Sequence, residues 1–182
     1  MRWSNPESVN LGTRTVNIRN RCDYRVVLDA IEALTCEDML SHDRYGAALR
    51  IFYEDKIFPE EAEKAISEML IIIGGEQKET SSHNSPKLMD WQKDFHLIAP
   101  PVSRVLGYDV RDPRIFTHFN AFVGAYLEIG ECYFQSIVNI RRKRAEGKPL
   151  DKYEMEFFMK NQSDVLFDTE LSEEDELFLK GG

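Results

Sequence analysis

The chain reads as a mainly α protein: a multi-helix, bundle-like domain with a small N-terminal β-hairpin and an acidic C-terminal tail. Three observations point there. Apolar residues recur at three- and four-residue steps through most of the 182 residues. Strict polar/apolar alternation occurs near the N-terminus, at Thr13-Arg14-Thr15-Val16-Asn17-Ile18-Arg19. Glycine and proline fall between the periodic segments, where helices have to stop and start. The length fits one domain, divided as an arm and hairpin over 1–22, a first helical layer over 23–73, a polar linker over 74–86, a second, aromatic-rich layer over 87–160 and the acidic tail over 161–182.

The hairpin pairs Ser8-Val9-Asn10-Leu11 with the alternating stretch around a turn near Gly12, with Val16 and Ile18 on one face. Two strands alone are marginal, so the ribbon has to pack on something larger. The period becomes helical at Asp23, where Tyr24, Val27, Leu28, Ile31 and Leu34 share a stripe that predicts a helix over 23–35. A weaker stripe, Tyr45, Ala48, Leu49 and Phe52, follows. Pro59 with Glu60 and Glu61 opens the next helix, because proline at the first helical position gives up no needed donor and the acids face the positive end of the dipole. Ala62, Ala65, Ile66, Met69, Leu70 and Ile73 form its inner face, and Gly74-Gly75 ends it.

Leu88, Trp91, Phe95, Ile98, Val102, Val105 and Leu106 repeat at helical steps, but Pro100-Pro101 predicts a kink or a split. After a turn at 107–113, an aromatic helical pattern begins at Ile115 and Phe116 and runs to Ile140, broken at Gly130-Glu131. Its aromatic density marks it as the centre of the core. A final helix is expected over 150–160, with a tail that stays flexible or folds on contact.

The charge balance, 23 Lys+Arg against 32 Asp+Glu for a net −9, disfavours wholesale binding of phosphate backbones. No apolar run approaches the roughly 20 residues that span a bilayer, and the N-terminus lacks the apolar core of a secretory leader, so a cytoplasmic protein with no membrane role is expected. Cys22, Cys36 and Cys132 are widely spaced and read as core fillers. His42, His83, His96 and His118 are scattered, with no metal-ligand spacing among them. The double glycine follows a helix, where a phosphate loop must precede one. Glu54-Asp55-Lys56 and Glu61-Ala62-Glu63-Lys64 read as surface ion pairing. No catalytic residue, metal site or cofactor emerges.

Two features suggest partner contact. The run Arg141, Arg142, Lys143 and Arg144, with Lys148 beyond it, concentrates positive charge. Four consecutive cations spread over every face of a helix, so they suit the negative helix end, the acidic tail or a partner's acids better than a nucleic-acid reading edge. A nucleic-acid-associated regulator using Arg141–Arg144 is the alternative function. In the tail, Leu166, Phe167, Leu177, Phe178 and Leu179 are apolar groups among acids and candidates for folding onto a partner.

The order of motifs also resembles a family. The hairpin, then Asp23-Tyr24-Arg25-Val26-Val27-Leu28, the polar linker, Asp90-Trp91-x-x-Asp94-Phe95-x-Leu97-Ile98, Gly107-Tyr108-Asp109-Val110, Phe116-x-x-Phe119-x-x-Phe122 and Phe134-x-x-Ile137-Val138-x-Ile140-Arg141 resemble the bacteriophage gene product fifteen family. These are tail proteins of siphophages and prophages of Gram-positive bacteria, encoded next to the tape measure gene. Members look like tail assembly chaperones. This chain has phenylalanines around 116 and 119 where members tend to carry paired tryptophans. The resemblance implies a non-enzymatic role: binding the tape measure protein and recruiting tail tube subunits in the host cytoplasm. It further implies absence from the mature virion, and it leaves self-association open.

Overall fold

The computed structural model describes residues 6–74 and 86–167. Strands β1 (Ser8–Asn10) and β2 (Thr15–Asn17) pair antiparallel with Val9 opposite Val16. Gly12 turns the ribbon at φ +95°, a conformation that costs glycine little, and the Asn10 side chain accepts its N–H at 2.7 Å. Val9, Leu11, Val16 and Ile18 are buried, so the alternating face is the one that meets the core. Polar contacts anchor the other face. The Arg14 guanidinium donates to both Glu61 carboxylate oxygens at 2.9 Å and to the Lys56 carbonyl, while the Thr13 hydroxyl donates to Glu61. Arg14 and the Phe58 N–H together hold the Glu61 carboxyl down at about 2. Glu61, expected among surface pairs, is buried at the hairpin's base.

A left-handed turn follows. Asn20, Arg21 and Cys22 have φ of 48°, 52° and 63°, three successive non-glycine residues in a strained region. The turn brings the 22–24 backbone against 117–119: Tyr24 donates to the Thr117 carbonyl and Phe119 to that of Cys22, each at 2.9 Å. Asp23 caps α1 (Tyr24–Thr35) by accepting from the Arg25 N–H. Helices α2 (Ser41–Phe52) and α3 (Ala62–Gly74) follow where the spacing predicts, although Tyr45 and Leu70, expected on their inner faces, are exposed, and Arg19 caps the C-terminal carbonyls of α2.

The expected break at Pro100-Pro101 does not split the next element. Helix α4 runs unbroken over Trp91–Leu106 with both prolines inside it. Each proline lacks a donor and costs about 3 kcal/mol in a helix interior. Ile98, Ala99 and Val102 are fully buried around them, and that packing outweighs the loss. Residues 115–118 are placed by their spacing at the start of an aromatic helix. They are instead non-helical because Thr117 and His118 pair with the 22–24 backbone, and α5 (Phe119–Leu127) starts only after that pairing. Helices α6 (Tyr133–Ala145), α7 (Lys152–Lys160) and α8 (Gln162–Val165) complete the order. The short α8 falls in the segment from 161 expected to stay flexible or to fold on contact. Residues 161–167 belong to the folded body, since Val165 is buried with Ile137, Ile140 and Phe158 in a small second core.

The main core draws on both halves of the chain. Its aromatic centre is Tyr24 stacked on Phe122, ring centroids 4.4 Å apart, with Phe95, Trp91 and Tyr126 around them. The Tyr24 hydroxyl donates to the Val110 carbonyl at 2.9 Å. Of the cysteines, Cys22 is fully buried, with its thiol pushed up to about 12 by burial, and Cys36 and Cys132 are half-buried; all three are free.

His118 closes the seam. Its Nδ1 accepts the Asn120 N–H at 3.0 Å, capping α5, and burial lowers its pKa against the pull of Pro6, Glu7 and Asp23. A lowered pKa means that the folded state favours the neutral ring, so its contribution is complete above the ordinary histidine value of about 6.5 and is lost as pH falls below it. Urea unfolding between pH 7.5 and pH 5 should therefore show declining stability, and His118→Asn, which keeps a cap that does not titrate, should flatten that slope. An unchanged slope refutes the assignment.

Candidate binding groove

The apolar arc of α1 is wider than one buried face. Val27 and Ala30 are fully buried, whereas Leu28 and Ile31 are only half-buried and face outward beside them. Across from them, the first turns of α4 present Trp91 and Phe95, also half-buried, with Met89 just before the helix. Asp90 sets this entry by accepting the Gln92 and Lys93 N–H groups. Between the two helices lies a cavity of about 550 Å³, floored by these apolar side chains and by Tyr24. One end is walled by Arg111 and Pro113 of the 107–118 loop, and Arg25 fixes that loop by donating to the Asp112 and Ile115 carbonyls.

The floor is rigid because it is the outer layer of the aromatic core. Trp91 lies 5.8 Å from Phe122 and 5.2 Å from Tyr126, and the Tyr126 hydroxyl contacts the Met89 sulfur. A groove of this shape, with apolar side chains at one-turn spacing on both walls, can accept the apolar face of an amphipathic helix. The rim is polar: Asp29, Glu32 and Thr35 on α1, and Lys87, Asp90 and Gln92 opposite, with Gln92 bridging to Glu32 at 2.8 Å.

The basic run lies elsewhere and is divided. Arg141, expected to offer its charge to a partner, turns inward and is only 5% exposed. Its guanidinium donates to both Asp94 oxygens at 2.6 and 2.9 Å, and to the carbonyls of Leu88, Asp164 and Val165. Arg142 is exposed, Lys143 pairs with Glu154 at 2.6 Å, and the Arg144 guanidinium lies over the Phe158 ring. Lys148 pairs with Glu146. The four side chains therefore share no common phosphate-facing edge. Leu166 packs on the second core, and the Phe167 ring covers the Arg141 guanidinium at 3.9 Å. Leu177, Phe178 and Leu179 lie outside the described residues.

Sequence reasoning places Leu28 and Ile31 in the α1 stripe, and Trp91 and Phe95 in the α4 stripe, as core residues. Their role as groove walls depends on how far apart the helices stand, which periodicity does not encode. The available signal was the excess of apolar positions on α1. Among the described residues, no helix is long and apolar enough to cross a membrane.

The described residues thus form an all-α scaffold with a small β-ribbon and an open apolar groove along one side. Comparisons with protein-family models, with curated proteins and with solved structures find no match for this chain.

Proposed function

We propose that this protein is a phage tail assembly chaperone that covers apolar helical segments of a tape measure protein and helps recruit tail tube subunits. The observation that carries the reading is the groove between α1 and α4, where Leu28, Ile31, Trp91 and Phe95 remain half-buried in the free chain. A tape measure protein is long and largely helical, and its apolar seams stay open to water until the tube closes around it. A helical seam seated in the groove is shielded, and the net charge of −9 keeps the complex from clumping. The resemblance of the motif order to the gene product fifteen family supports the same reading. The protein acts in the host cytoplasm by binding, without a reaction of its own, and is left out of the mature virion.

Co-expression with the tape measure protein of the adjacent gene is the test. The wild-type chain should keep that protein soluble and co-purify with it. Leu28→Asp, which puts a charge on the groove floor, and Thr35→Arg, which obstructs its exposed end, should each cut recovery about tenfold while helical content is unchanged. A tape measure protein that stays insoluble with wild type, or recovery unaffected by both variants, overturns the proposal.

A further inference from the structure

The charges around the groove are not equivalent. Three cations border it, and each is already committed: Arg25 to Asp23, Lys87 to Asp90 at 2.5 Å, and Arg111 to Asp109 at 2.9 Å. The α1 lip differs. Asp29 and Glu32 are exposed, sit one helical turn apart, and have no ion-pair partner among the described residues. Glu32 accepts the neutral amide of Gln92. Once the internal pairs are removed, the groove is an apolar floor beside one uncompensated anionic lip.

From this we infer the chemistry of the occupant, building on the groove reading above: a cationic amphipathic helix from a partner chain. Its apolar stripe enters between α1 and α4. Two Lys or Arg residues three or four positions apart lie along α1, opposite Asp29 and Glu32, because that spacing matches one turn on both helices. The chain's own 168–182 segment fits poorly. It carries Leu171, Leu177, Phe178 and Leu179, but also Asp168, Glu170, Glu173, Glu174, Asp175 and Glu176, which would meet the same-sign lip. Electrostatic complementarity of this kind sets partner choice more than total affinity.

The test uses the full chain and three labelled synthetic peptides read by fluorescence anisotropy. The first is a helical peptide of about 18 residues, five turns, with leucines at i, i+3, i+4 and i+7 and lysines along one border. The second carries glutamates in place of those lysines, and the third is residues 168–182 of this chain. The lysine peptide should bind about tenfold more tightly than the glutamate peptide at low salt, since two surface pairs change from attraction to repulsion. The gap should narrow as ionic strength rises. Asp29→Lys combined with Glu32→Lys, both at exposed helix positions, should reverse the preference. Equal affinity for the first two peptides, or tighter binding of the glutamate or 168–182 peptide, overturns the charge inference while leaving the groove reading standing. Binding of none of the three overturns the groove reading itself, and this inference falls with it.

Discussion

Arg141→Ala should destabilise the protein by about 3–5 kcal/mol, the cost of leaving a buried charge without its partner. A guanidinium has five N–H donors in a fixed fork, and here they reach Asp94, Leu88, Asp164 and Val165. Removing them leaves the Asp94 carboxylate, 1% exposed, with the Asp90 N–H as its remaining donor at 2.9 Å. The same substitution frees the Asp164 and Val165 carbonyls and the Phe167 ring, so the 161–167 segment should lose its hold on α6 and α4. Arg141→Lys should recover little, because one ammonium cannot serve a bidentate carboxylate and three carbonyls together. The double variant Asp94→Leu with Arg141→Met should recover much of the loss, since an apolar pair leaves no charge stranded. Urea unfolding of wild type, the double variant and its two single variants, Asp94→Leu and Arg141→Met, measures the coupling. A cost below about 1 kcal/mol for Arg141→Ala, the range of an exposed pair, would show that the pair is not dry.

Phe122→Ala should cost a comparable 3–5 kcal/mol, combining lost transfer energy with a cavity that the surrounding rings cannot close. Phe122 is fully buried, parallel to Tyr24 at 4.4 Å, and within 5.8 Å of Trp91 and 6.5 Å of Phe95. Three of the residues that floor or wall the groove thus rest on this one ring. The variant should unfold at lower urea and also weaken groove binding beyond what its folded fraction explains. Phe116→Ala is the control: that ring is 43% exposed and lies under Arg21, so its truncation should cost less than about 1 kcal/mol. Similar losses for the two phenylalanines would contradict the placement of the core.

Much of this architecture was readable in local pattern. The α1 stripe from Tyr24 to Leu34, the helical opening at Pro59, which forms a 3-10 turn leading into α3, and the alternation through Val16 and Ile18 all describe relations between near neighbours, and the fold agrees with each. The groove was half legible. Its walls stood out as apolar, but a residue that lines an open cleft and one that fills a core obey the same periodicity. The inward turn of Arg141 was hidden altogether, because its partner Asp94 lies 47 residues away and its carbonyl acceptors come from three further positions. A run of four cations reads as surface whichever one of them is buried.

Spacing and composition were enough to settle that this chain is helical, where most helices begin and end, and that a hairpin must lean on them. Those properties follow from backbone geometry and side-chain preference over a few residues. The unbroken helix through Pro100-Pro101, the non-helical stretch at 115–118, the docking of 161–167 and the opening between α1 and α4 were decided only when distant segments met. There, buried area and completed hydrogen bonds outweigh local preference by several kcal/mol, and no local pattern encodes that sum.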